Sequence, residues 1–176
     1  MIRLFYLLRT NFNKNTLQVL RLFIIIVVES GTKCMFYGSY QHSLDSKGRM
    51  FIPSRMKEQV GNTLFIMKGF DGCISVYKEE DFINKINELR KLPFNQADSR
   101  DVIRVESSSV VELEVDDGGR VLLPKKVLQT YKIGKKIMIV GVIDHFEIWD
   151  LEAWNSYISK KDLEYEEKAN SLQVDK

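Results

Sequence analysis

A nine-residue pattern occurs twice in this chain. Asp45-Ser46-Lys47-Gly48-Arg49-Met50-Phe51-Ile52-Pro53 returns as Asp116-Asp117-Gly118-Gly119-Arg120-Val121-Leu122-Leu123-Pro124. Both copies read Asp-x-x-Gly-Arg, then three apolar residues, then Pro. Solenoids need three or more units to bury a continuous core. Two copies therefore point to a pseudo-symmetric domain built from two like halves.

The likeness extends past the motif. Thr63 to Gly69, Cys73 to Tyr77 and the acidic helix start Glu79-Glu80-Asp81-Phe82 follow the first copy. Lys136 to Gly141, His145 to Trp149 and Leu151-Glu152-Ala153-Trp154 follow the second. This alignment sets Gly69 against Gly141, Tyr77 against Trp149 and Phe82 against Trp154. Each half then reads strand, tight turn, strand, short helix, strand, turn, strand, helix.

Local signals agree. Asp-Ser-Lys-Gly has turn composition, because Asp bonds its own backbone two residues on and Gly supplies a positive φ. Val111-Glu112-Leu113-Glu114-Val115 alternates as a half-buried strand does. Pro53 suits a helix start, so Ser54–Val60 is expected as about two turns and Lys125–Lys132 as its counterpart. Phe82, Ile83, Ile86 and Leu89 fall at helical spacing within Lys78–Leu92. The expected class is α+β and strand-rich. Residues 39–81 form the first half, 82–109 link through helices, 110–153 form the second half, and 154–176 are a C-terminal helix and tail. Within the link, Phe94–Ser109 is the least regular stretch.

The chain has 176 residues and 44% hydrophobic content. A half of roughly 45 residues is marginal alone, because small domains bury too little of their surface. Interdigitating the halves into one core removes that problem. The formal net charge of +2 does not by itself announce a nucleic-acid binder, so any such binding must come from a local patch. The two cysteines, Cys34 and Cys73, form no C-x-x-C and have no nearby histidine pair, which argues against a metal site or a disulfide framework. No metal, cofactor or small-molecule substrate is expected.

Residues 1–34 differ from the rest. Arg3, Arg9 and Lys14 precede an apolar run from Leu22 to Val28, too short to span a bilayer, which takes about 20 residues. Arg21 interrupts a signal-peptide reading, and no small-x-small cleavage site follows. The expectation is a start placed too far upstream, with Met35 the true first residue. A disordered segment, an amphipathic extension touching a membrane and a signal are the alternatives. Without this segment the net charge becomes −2, since it carries five basic residues and one acidic.

The Asp-x-x-x-Arg motif has two readings. One is an ion pair across the turn, a shape-fixing contact of small worth when exposed. The other is a rigid cationic prong. A two-stranded β-ribbon fits the major groove, and Arg is the usual reader of guanine edges. The first half would present Arg49 with Lys47 and Arg55 nearby. The second would present Arg120 with Lys125 and Lys126 close in sequence. Asp45, Gly48, Asp116 and Gly119 shape the turns. The readings are compatible, since a turn locked by Asp45 could aim Arg49.

Met35-Phe36-Tyr37-Gly38, Leu44-Asp45-Ser46-Lys47-Gly48-Arg49, Pro53-Ser54-Arg55, Leu92-Pro93-Phe94 and the second Asp-x-x-Gly-Arg resemble the MraZ family of bacterial transcriptional regulators. The resemblance runs in order from Met35 to about Leu172. It implies two SpoVT-AbrB-like halves folded as a swapped-hairpin barrel. It also implies a cytoplasmic, nucleoid-associated homo-oligomer, a ring, that binds repeated elements in double-stranded DNA. Such a protein would repress its own operon in the division and cell wall gene cluster. The first-half Arg is the family's leading candidate for DNA contact, which here is Arg49. One departure is Val105-Glu106-Ser107-Ser108-Ser109-Val110, where members usually carry an apolar run ending in small residues. Glu106 and the serines are expected to weaken packing of the linking helix.

Three rival readings stand beside this one. An enzyme is disfavoured, because His42 and His145 have no Ser or Cys partner by spacing, and neither phosphate-binding glycine motif occurs. An antitoxin-like AbrB protein would carry one motif copy and a disordered tail. A structural or protein-interaction module remains the third.

Overall fold

The computed structural model describes residues 35–171, so the expectations for residues 1–34 lie outside the described residues. The first half contains β1 (Ser39–Ser43), β2 (Arg49–Phe51), the one-turn helix α1 (Ser54–Lys57), β3 (Thr63–Lys68) and β4 (Ile74–Lys78). The helices α2 (Glu79–Arg90) and α3 (Ala97–Ser108) follow. The second half contains β5 (Val111–Glu114), β6 (Arg120–Leu122), α4 (Lys125–Thr130), β7 (Lys136–Gly141) and β8 (Phe146–Asp150). The helix α5 (Leu151–Ser171) ends the described chain.

The order of elements is the expected one, and the pairing exchanges the halves. One six-stranded sheet runs β1-β7-β8-β4-β3-β5, and β2 pairs with β6 in a separate ribbon. Thus β1 of the first half joins the second-half hairpin β7–β8, while β5 joins the first-half hairpin β3–β4. A pseudo-twofold passes between β4 and β8, where Ile74 faces Ile148, Ser75 faces Glu147 and Val76 faces Phe146. Under the repeat, Ile74 corresponds to Phe146 and Val76 to Ile148. The outer two pairs therefore exchange, and Ser75–Glu147 lies on the axis.

One core serves both halves. Met50, Ile52, Leu64, Ile66 and Ile74 pack with Val121, Leu123, Ile137, Ile139, Phe146 and Ile148 in a single buried cluster. The ribbon supplies Met50 and Val121 as an inward-facing cross-strand pair. Alternation along β2 and β6 then turns Arg49, Phe51, Arg120 and Leu122 outward. A half on its own would leave its share of this cluster in water. Tyr77 and Trp149 are both buried, as their alignment requires.

The register corrects the glycine alignment. Lys68 faces Ile74, and Gly141 faces Phe146. Lys68, not Gly69, is the counterpart of Gly141, because the β3–β4 turn holds one residue more than the β7–β8 turn. The two glycines serve different contacts. A side chain at Gly141 would run into the backbone of Phe36 and Tyr37. At Gly69 the obstacle is the Cys73 thiol.

The expected irregular stretch Phe94–Ser109 is mostly helix. Asp98 sits in the first turn of α3, where a negative charge suits the helix dipole. None of the residues of α3 is fully buried, and its N-cap, Gln96, makes no side-chain capping bond. Polar contacts hold its end instead. Lys85 of α2 pairs with Glu106 at 3.4 Å, and the Ser109 hydroxyl accepts the Lys68 N–H at 2.8 Å. His145, expected on a strand, lies in the turn before β8 with its ring stacked on Tyr77 at 4.5 Å.

Candidate nucleic-acid interface

Both motif turns are built alike. Asp45 N–H donates to the Arg49 carbonyl at 2.9 Å, and Gly48 N–H to the Asp45 carbonyl at 3.0 Å. Asp116 and Arg120 repeat the first bond at 2.9 Å, and Gly119 repeats the second at 2.7 Å. Gly48 and Gly119 have φ of 84° and 75°, the left-handed region that costs glycine nothing. Side chains then lock each turn. Asp45 Oδ1 accepts the N–H of Lys47 at 2.8 Å and of Arg49 at 2.9 Å. Its Oδ2 accepts Arg49 Nε at 2.7 Å. In the second turn Asp116 takes Arg120 N–H at 2.9 Å and Arg120 Nε at 2.8 Å.

These bonds hold the Asp45 carboxyl well below its ordinary range, at about 2, chiefly through the Arg49 backbone N–H and then its side chain. The Asp116 carboxyl is lowered for the same leading reason. The folded-state value lies below the free value of 3.8, so this stabilisation is complete above that value and is lost as pH falls toward 2. Urea unfolding of the protein and of Asp45→Asn should differ at neutral pH and converge only as pH falls through about 2. A gap that stays constant down to pH 2 would disprove the linkage.

The lock uses only Nε of each arginine. Among the described residues no hydrogen bond engages the terminal nitrogens of Arg49 or Arg120, which leaves donors of the guanidinium fork available. The two arginines differ in surroundings. Across the ribbon Arg120 faces Phe51, and its guanidinium lies 5.8 Å from that ring centroid. Arg49 faces Leu122, which has no π face.

The exchange of halves relocates the other candidates. Lys125 does not join Arg120. It lines one concavity with Lys47, Gly48 and Lys135, beside the first turn. Conversely α1, which carries Arg55, lays its Lys57 against Gly119 of the second turn, so Arg55 belongs to a helix that meets the second turn. Lys126 is exposed on α4. Lys57 and Lys135 escaped the sequence reading, because they are near the turns only in space.

A ribbon clasped between two interleaved halves, each closed by an Asp–Arg turn, defines an AbrB-like barrel completed within one chain. Relatives of known name agree. A family model described as "MraZ protein, putative antitoxin-like" matches residues 35–105 and again 108–176. The chain is 37% identical over 138 residues to the transcriptional regulator MraZ of Desulforamulus reducens, covering 78% of this chain and 97% of that protein. It is 40% identical to the protein of the same name from Heliobacterium modesticaldum, covering 78% and 96%. The corresponding protein of Acetivibrio thermocellus is 38% identical over the same shares. The chain belongs to the MraZ family.

Proposed function

We propose that the protein is a sequence-specific DNA-binding transcriptional regulator in which the β2–β6 ribbon enters the major groove and Arg49 reads base edges. The observation that carries this reading is the Asp45–Arg49 lock. It fixes the guanidinium where the turn meets β2 while leaving its terminal nitrogens for a partner. Arg pairs through such a fork with guanine O6 and N7. The printed name of the relatives, transcriptional regulator, supports the class. Work in the cytoplasm, on the nucleoid, follows from this reading, with repression of its own operon in the division and cell wall cluster. The chemistry is binding, not catalysis.

One protomer offers few cations to a DNA backbone, so assembly on repeated elements is the natural route to useful affinity. Linked contacts exceed a single one by roughly 10²–10⁴. Phe70, Val102 and Val105 are exposed around one apolar recess, whereas Met35, Tyr37 and Ile143 are exposed near the β7–β8 turn. Because β4 and β8 run antiparallel, the β3–β4 and β7–β8 turns lie at opposite ends of that ladder. Unlike patches at opposite ends favour head-to-tail contact, which closes into a ring when the rotation allows. Footprinting on the region upstream of the gene should protect several direct repeats, with light scattering showing a closed oligomer. A monomer that tightly protects one isolated repeat would refute the assembly.

A further inference from the structure

We infer that Lys47, Lys125 and Lys135 form a seat for a DNA backbone phosphate beside Arg49, an inference that rests on the DNA-binding reading above. The three lysines line one open concavity of about 430 Å³ against the first turn. Lys47 comes from the turn itself, and the other two come from the second half, brought there by the exchange of strands. All three side chains are exposed, and among the described residues none has an ion-pair partner. The turn's own carboxylate, Asp45, is already neutralised by Arg49. Gly134, which lines the same concavity, donates its N–H to Asp150 Oδ2 at 3.0 Å, and Asp150 Oδ1 accepts the Glu152 N–H at 3.0 Å.

The seat has a firm floor. The Lys135 carbonyl accepts the Leu44 N–H at 2.8 Å, so its backbone is tied to the strand that leads into the first turn. Leu128 and Ile133 add apolar surface to the lining of the concavity. Lysine ammonium groups on such a base act as point charges for phosphate. Phosphate contacts set register and orientation and leave base edges to other side chains. Here that other side chain is Arg49.

The second turn is an internal control. Pro53 matches Pro124, so Ser54 stands where Lys125 does. The Asn62 carbonyl accepts the Val115 N–H at 2.8 Å, as Lys135 does for Leu44, so Asn62 matches Lys135. Gly118 matches Lys47, and Asp117 matches Ser46. Each cation of the first seat is thus replaced by a neutral residue, and a negative charge is added. Only Lys57 is basic there, in the place of Leu128, with its stem against Gly119. The fold repeats and the cationic seat does not, so the seat is not a by-product of the turn.

Fluorescence anisotropy with two duplexes tests this: the region upstream of the gene, and a random sequence of equal length. Each neutralised phosphate contributes about 0.9 to the slope of log K against log salt. Lys125→Gln/Lys135→Gln should lower that slope by about one per engaged protomer, weakening both duplexes alike. Lys57→Gln should leave it unchanged, and all variants should keep the parent's thermal midpoint, since the side chains are exposed. An unchanged slope in the double variant, or weakening confined to the upstream duplex, would overturn the phosphate seat while leaving the regulator reading intact. A parent protein that binds neither duplex would overturn both.

Discussion

Arg49→Ala should nearly abolish retention on the upstream DNA while leaving the fold in place. A bidentate arginine contact to a base pair is worth about 1–3 kcal/mol of discrimination. In an assembly that engages several repeats, the loss recurs at every engaged turn. The fold loses little, because the side chain is about one third exposed and the Asp45 carboxylate still accepts the Lys47 N–H. Arg120→Ala should be milder for DNA. Its guanidinium lies near Phe51, and its turn has Gly118 in place of Lys47. Thermal melts and salt-matched binding curves for both variants settle the matter. A folded Arg49→Ala protein with full binding would move the reading residue elsewhere.

Phe146→Ala should have the largest effect on stability. Its ring is fully buried and meets Phe36 edge-on, with centroids 5.4 Å apart. Truncating a buried Phe to Ala costs about 3–5 kcal/mol, a large share of the 5–15 kcal/mol typical of a whole domain. Because Phe146 also faces Val76 across the axis, the damage is shared by both halves. Trp149 and Trp154 fluorescence reports the second half, and amide exchange of β3 reports the first. Both should move to the same lower denaturant midpoint. A first half that keeps the parent midpoint would show that the core is two cores.

Much of this architecture was legible in the chain. The double motif, the alternation in Val111–Val115 and the helical spacing of Phe82, Ile86 and Leu89 follow from local rules, since side-chain direction is fixed by backbone period. What was not legible depends on pairing between distant strands. Sequence neighbours placed Lys125 with Arg120, whereas strand exchange carries it to the first turn. The glycine equivalence failed by one position, because a single extra turn residue between β3 and β4 leaves no mark on the apolar pattern. The helix α3 was partly missed for a different reason. Its N-cap is Gln96, which makes no side-chain capping bond, so no Ser, Thr, Asp or Asn start signal marks its beginning.

The Ser75–Glu147 pair on the axis has an evolutionary consequence. In a symmetric dimer of identical chains every substitution is made twice, and each turn must serve all purposes at once. Here the axis relates two different residues, so a substitution touches one turn alone. The two turns are free to drift apart. Lys47 stands opposite Gly118, and Lys135 opposite Asn62. One turn is thus flanked by lysines, while the other holds the same backbone geometry with neutral residues in their places. Fusion of the halves thus permits division of labour within a scaffold whose strands still obey twofold symmetry.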